Sequence, residues 1–403
     1  MSAGQRLVTV RNSGAIAARR LDARQFARAA VRDSRHSSAA FPPMIEPRRL
    51  SPFIDLAAVE AWDAWFRWRE RSVLRDVSIE DTWWRVVSTL ASAEPSHEEA
   101  TWQVRFMDAL ASWRLLPDER VLAKIGTGRS GWHGDVLHAV LNAACFVSPE
   151  GAPRATIDFA ALADCAALAV RALDNAALLA GHVAARFRIG IVGVADALAL
   201  LGLEYDSDAG RAQAAALARA LAEGCLGGSI ALAASRGACK RDARGLIARA
   251  MLRDAPRDLL KDAARHGLRH MQLTAITSQP RLALLANDVA DAVDPLLGEN
   301  HAHAIEAADG RRTIRSSGYA LNLLRGHIGR PGERPDTLEH QSWFAQLAMR
   351  AALQPWMDIP IAYPLLTVRQ PDESQRLEAR KLTAQHGLGE PTWRSSAELQ
   401  AIQ

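Results

Sequence analysis

LTAITSQPRLALLA, residues 273–286, opens as an extended, strand-like segment and closes as a leucine-rich helix, and that change of period decides how the surrounding chain is read. A strand running straight into a helix is an α/β junction. Such a junction commonly carries a glycine turn whose backbone N–H groups and helix N-terminus bind an anion. Here Pro280 and Arg281 stand at the turn instead. Proline is acceptable in the first turn of a helix, so the strand-to-helix architecture survives, but one N–H donor is gone and one backbone angle is fixed.

Working outward, apolar residues recur at helical spacing through Trp62, Trp65 and Phe66, then Trp83, Val86, Val87 and Leu90, then Trp102, Phe106, Met107 and Leu110. Three amphipathic helices are expected, the second starting at Ser78 with Asp81 and ending before Pro95. At this spacing the tryptophans read as core in preference to a base-stacking platform. Periodicity fails between Leu115 and Gly151, a loop-rich joint. A long helix follows over 156–181, capped by Asp158 and ended by Gly181, then a shorter one ending at Gly202. Another starts at Asp206 or Ser207 and runs toward Gly224, with a further helix over 228–236. A short helix near 256–266, an irregular polar region over 298–338 and a helix within 340–356 complete the pass. The fold class expected is predominantly α-helical with a few short strands.

The chain has 403 residues, of which 49% are apolar, ample for a buried core. Asp, Arg or Gln interrupts each Ala/Leu-rich stretch, so no membrane span is expected. Cys145, Cys165, Cys225 and Cys239 lack metal or disulfide spacing, which points to a reducing cytoplasm. The net charge of +4 is concentrated in residues 1–50, with ten Arg against three Asp/Glu. That basic segment reads as a disordered leader outside the fold, and the rest of the chain gives no reason to expect nucleic acid as a partner. His266 with His270 and His301 with His303 lack a carboxylate in a recognised metal pattern and read as surface histidines. GTGRSG (126–131) is glycine-rich but lacks the lysine and spacing of a phosphate-binding loop.

RFRIGIVGVADALALLGLEYDS (186–207), with IDFAALADCAALAVRALDN (157–175) before it and LTAIT…LLANDVADAVDP (273–295) after it, resembles the carboxy-terminal half of the ribonucleotide reductase large subunit, most closely the adenosylcobalamin-dependent class. IEDTWWRVVSTLASAE (79–94), FMDALASWRLLPDERVLAKIGTGR (106–129) and QLAMRAALQPWMDIPIAYPL (346–365) look like further segments of that family in the same order. The resemblance implies a remnant of the reductase α/β barrel over 126–365, preceded by a helical region over 51–125 and followed by a tail over 366–403.

The same resemblance marks what is missing. Nothing reads as the family's NPCGE loop, which carries the radical cysteine and a glutamate base. In one register the family's redox cysteine falls on Val136; in a rival register Cys145 is that cysteine, and it is the candidate catalytic residue here. Cys165, Cys225 and Cys239 match no family duty and read as small buried residues. The family's PTGTIS phosphate cradle corresponds in register to Ser278, Gln279, Pro280, Arg281, Leu282 and Ala283, with Pro280 in place of the glycine, and the resemblance implies that Thr277, Ser278, Gln279 and Arg281 form the phosphate-binding remnant. Arg281 reads either as a replacement phosphate contact or as a solvent-facing helix residue. The function implied is a degenerate, binding or regulatory relative in deoxynucleotide metabolism, with a full-length reductase or a second copy as partner. The alternative is an active ribonucleoside-diphosphate reductase, and only then is adenosylcobalamin expected.

Overall fold

The computed structural model describes residues 53–71, 73–132, 136–148, 155–239, 244–308, 310–325 and 335–395. The chain divides into two units, Met1–Arg48 and Arg49–Gln403, and every described residue belongs to the second. The basic leader expected over 1–50 lies outside the described residues.

Helix α1 (Leu56–Ala61) starts at Asp55, whose carboxylate accepts the Ala57 N–H at 2.7 Å, and runs on as a wide π turn, Trp62–Phe66. A short antiparallel ribbon, β1 (Arg69–Glu70) and β2 (Val73–Leu74), leads to α2 (Ile79–Ala91) and α3 (Glu99–Ala111). Ser78 heads α2 as its sequence suggested, its N–H donating to the Asp81 carboxylate at 3.1 Å. Trp62, Trp83 and Trp113 are buried, so these rings build core, whereas Trp84 on the opposite face is exposed. Arg85 on α2 ties the region together: its guanidinium pairs with Asp76 at 2.8 Å and donates to the carbonyls of Ile125 and Leu122.

The stretch expected to be a loop-rich joint contains β3 (Leu115–Pro117), α4 (Glu119–Lys124), β4 (Leu137–Asn142) and a 3₁₀ turn, Ala143–Phe146. After α5 (Phe159–Leu179), RFRIGIV is not the start of a helix but strand β5 (Arg186–Val192), followed by α6 (Val194–Leu200). Then come α7 (Asp208–Arg236), α8 (Arg244–Leu252), α9 (Arg257–His266), β6 (Gln272–Thr274) and α10 (Pro280–Leu285). The four strands form one sheet in the order β3-β4-β5-β6, antiparallel at β3/β4 and parallel thereafter. The parallel pairs require crossovers, and α5 and α7 supply them, α5 lying against β3, β4 and β5 and α7 against β5 and β6. Gly190 sits in β5 because a Cβ there would fall 2.6 Å from the Ala275 carbonyl oxygen. Since β3 pairs with β4, regions 51–125 and 126–365 share a sheet and a hydrophobic core.

Helix α7 is continuous, where the glycines at 224 and 228 suggested two helices. Both glycines face α5: a Cβ on Gly224 would lie 2.2 Å from the Ala163 carbonyl oxygen, and one on Gly228 2.8 Å from the Ala167 Cα. Close helix contact thus compensates a mid-helix glycine cost of about 1 kcal/mol each. By length and composition α7 could cross a membrane, contrary to the expectation from sequence, but 61% of its most apolar window is buried inside the protein.

Beneath this packing lies a buried charge network. Asp174 on α5 accepts from Arg269 at 2.7 Å and Arg236 at 2.6 Å, and these partners, outweighing the burial that pushes it up, hold its carboxyl down at about 2. Glu94 receives Arg171 and Asn175, both at 2.8 Å, and Arg236 at 2.7 Å. His270, expected at the surface, is fully buried beside Asp174, its Nδ1 3.0 Å from the Ser229 hydroxyl.

The region 298–338 contains an antiparallel hairpin, β7 (His301–Ala307) with β8 (Gly310–Ser316), and α11 (Tyr319–Leu324), where an irregular segment was expected. α12 (Trp343–Leu353) follows, then β9 (Leu365–Thr367). The stretch read as a tail carries α13 (Glu373–Gln385) and β10 (Trp393–Ser395), which pairs in parallel with β9. Among the described residues helices thus predominate over short strands.

The α5/α7 contact predicts a sharp asymmetry between neighbouring glycines. Gly224→Ala should destabilise the protein by about 1–3 kcal/mol through overpacking. Gly227→Ala, whose new Cβ meets only the Leu259 side chain at 3.6 Å, should be neutral or stabilising by up to about 1 kcal/mol. Urea unfolding of the two variants measures the difference, and equal effects would exclude close packing as the reason for Gly224.

Candidate functional site

An open cleft of about 470 Å³ is lined by Asp118, Glu119, Arg120, Val136, His138, Arg188 and Gln279. It gathers the start of α4, the first turns of β4 and β5, and the junction between β6 and α10. The β6–α10 connection is the stretch from which the sequence reading began, and its polar groups are committed to one another. The Ser278 hydroxyl donates to an oxygen of Asp291 at 2.5 Å, and the Gln279 backbone N–H donates to the other at 2.7 Å. The Gln279 amide lies 3.2 Å from both the Thr277 hydroxyl and His138 Nδ1.

The donors that would greet a phosphate at this helix head therefore grip a carboxylate of the chain itself. Pro280 adds no N–H, and Ala283 adds no hydroxyl. Burial pushes the Asp291 carboxyl up to about 6 even though Ser278 and Gln279 pull it down. The side chain is still ionised at neutral pH, and an entering phosphate would meet that charge at the loop.

Arg281 turns to Trp65 and to Glu119 at the cleft. Its guanidinium lies 5.0 Å over the Trp65 ring and 3.7 Å from the Glu119 carboxylate, and the side chain is 54% exposed. Arg188 is different: its Nε is buried and makes no hydrogen bond among the described residues. His138 next to it is held below the ordinary histidine value, first by burial and then by the nearby Arg188 and Arg120, against an upward pull from Asp118. Burial and the two arginines thus favour the neutral imidazole. Arg120, engaged with Asp118 at 2.7 Å, and Arg188 both line the cleft.

Of the two positions offered for a redox cysteine, Val136 lines this cleft and Cys145 does not. Cys145 sits in the turn after β4, where the Asn142 side-chain amide reaches its sulfur at 3.2 Å. Burial pushes its thiol up to about 12, with Arg114 lowering it only in part. Cys165 is likewise pushed up to about 12 and Cys225 well above the ordinary value, both by burial. All four cysteines are free thiols, with Cys165 and Cys225 buried and Cys145 and Cys239 partly exposed.

Thus Thr277, Ser278 and Gln279 come together, while Arg281 and Cys145 stand apart. His138, Arg188 and Asp291 were not singled out from sequence. Asp291 lies thirteen residues beyond Ser278, so no local spacing linked them. A half-buried aspartate after a strand-to-helix turn lacking its glycine was the available signal.

A thiol held at this height is almost entirely protonated at neutral pH, and the thiolate is the reactive form. Cys145 in the native protein should therefore resist iodoacetamide at pH 7.5 and become alkylated only on unfolding, as read by peptide mass spectrometry. Rapid native alkylation would contradict a thiol held protonated.

Residues 138–302 match the family model for the ribonucleotide reductase barrel domain, a span of less than half the chain. A comparison with curated proteins found no match. The matched span runs from β4 through the first residues of β7 and includes the β6–α10 junction, and it supports a relationship to the ribonucleotide reductase large subunit.

Proposed function

We propose that the chain is a catalytically degenerate relative of the adenosylcobalamin-dependent ribonucleotide reductases that acts by binding, as a partner of a full-length reductase or as a regulator in deoxynucleotide metabolism. The observation that carries this reading is the Asp291 carboxylate held by Ser278 and Gln279 in the loop that resembles the phosphate cradle. A phosphate would have to displace it, overcome its charge, and then recover hydrogen bonds worth roughly 1.5–3 kcal/mol each from fewer donors.

The residues present do not fit the chemistry that a cobalamin-dependent reductase requires. Hydrogen abstraction from a ribose needs a sulfur at the substrate, and reduction needs two further thiols able to close into a disulfide. Among the described residues lining the cleft none carries a sulfur, and desolvation of the partly exposed Cys145 pushes its thiol up to about 12. Four free thiols suit a reducing compartment such as the cytoplasm. What remains for a ligand is a polar cleft offering Arg188, His138 and Gln279.

The test is to incubate the full-length chain with adenosylcobalamin, a dithiol and each ribonucleoside diphosphate and triphosphate, and to assay deoxynucleotides by chromatography. No turnover is expected. Turnover abolished by Cys145→Ala would replace the binding role with that of an active reductase.

A further inference from the structure

His301 and His303 are alternate residues of β7, so their side chains fall on one face of the hairpin. That face turns onto Asp288, which follows α10 with Asn287, both in the left-handed region at φ 59° and 66°. The result is a compact group: His301 Nε2 is 3.0 Å from one Asp288 oxygen and His303 Nε2 is 2.9 Å from the other. His303 is 2% exposed and Asp288 6%.

Two features show that this is more than a charge pair. His301 Nδ1 lies 2.7 Å from the Gly298 carbonyl oxygen, which can only accept, so the proton is on Nδ1 and a neutral ring presents a bare lone pair at Nε2. That lone pair would face a carboxylate oxygen across 3.0 Å. A second proton on the ring would relieve the clash if its N–H pointed at the oxygen. Among the described residues, however, neither His301 Nε2 nor Asp288 Oδ2 makes a well-directed hydrogen bond.

We infer that Asp288, His301 and His303 form a binding site for a divalent transition-metal ion of the zinc type. The three ligand atoms lie within 4.8 Å of one another. Ligands at about 2.0–2.1 Å around a tetrahedral zinc are about 3.3 Å apart; each imidazole nitrogen stands within a few tenths of an ångström of that spacing from its own Asp288 oxygen, and rotation of the carboxylate and the two rings would gather the three ligand atoms from their present spread of up to 4.8 Å. Two imidazoles with one carboxylate suit zinc better than calcium or magnesium, which prefer oxygen ligands throughout. The Gly298 carbonyl serves as the supporting acceptor that fixes a metal-binding histidine. A cavity of about 40 Å³ adjoins the three residues, against the roughly 10–15 Å³ one water requires, so the fourth position has room for a water. Pro280 and Leu284 of α10 line the same cavity, and the ion would clamp the β7–β8 hairpin to the helix that heads the former cradle.

The experiment uses tag-free, full-length protein stripped with chelator and dialysed against Zn²⁺ or Co²⁺. One zinc per chain should be retained, the melting temperature should rise and fall again with chelator, and the Co²⁺ form should show visible d–d bands without a thiolate charge-transfer band. His303→Ala and the isosteric Asp288→Asn should weaken zinc binding by more than the roughly 10–100-fold that losing a supporting group costs. If His303→Ala does not fold, the wild-type Co²⁺ spectrum decides. Absence of retained zinc and of cobalt bands, a thiolate band, or retention unchanged in a folded His303→Ala would each overturn the assignment and leave a charge cluster only.

Discussion

The Asp291 carboxylate, held by the Ser278 hydroxyl and the Gln279 N–H, is the interaction on which the reading of this protein turns. An anion is present at the head of α10, but it belongs to the chain. With the Ser278 hydroxyl and the Gln279 N–H satisfied by this carboxylate, the strand-to-helix junction keeps its shape without a ligand. The same engagement also explains why Pro280 is tolerated: the N–H it lacks would have had no anion left to bind.

The junction is held in place by packing farther away. The close approach of α5 and α7 through Gly224 and Gly228 sets the layer against which β5 and β6 lie. The buried Asp174 and Glu94 fix the same helices through Arg171, Arg236 and Arg269. Ions buried this way are costly to desolvate, and losing one partner strands the other, so breaking a single pair costs far more than the intact network contributes in net stability. The LDN sequence at 173–175, one of the stretches that carried the family resemblance, contributes Asp174 and Asn175 to it.

Much of the helical architecture was legible because caps are local. Ser78 with Asp81, Asp158 and Gly181 all mark helix ends where their sequence neighbours suggested. The strands were harder. LHAVLN and RFRIGIV lie inside the sheet and read as near-continuous apolar runs that periodicity cannot tell from buried helix. Gly224 and Gly228 looked like breaks because the partner that needs them, α5, lies some sixty residues away in sequence. The site was legible only where its members are adjacent: Thr277, Ser278 and Gln279 could be read, but Asp291, His138 and Arg188 come from other elements. Likewise, the histidine pair on β7 looked superficial until Asp288 was seen beneath it.

The central claim is that the cradle is filled by the chain's own carboxylate, and calorimetric titration with a ribonucleoside diphosphate at pH 7.5 tests it most directly. The account predicts that Ser278→Ala leaves nucleotide affinity unchanged, since its hydroxyl is already engaged, whereas Asp291→Ala, by freeing both donors and removing a charge, increases affinity by about tenfold or more. Tight binding by the native chain that is lost in Ser278→Ala would contradict it, because the hydroxyl would then serve phosphate and not Asp291.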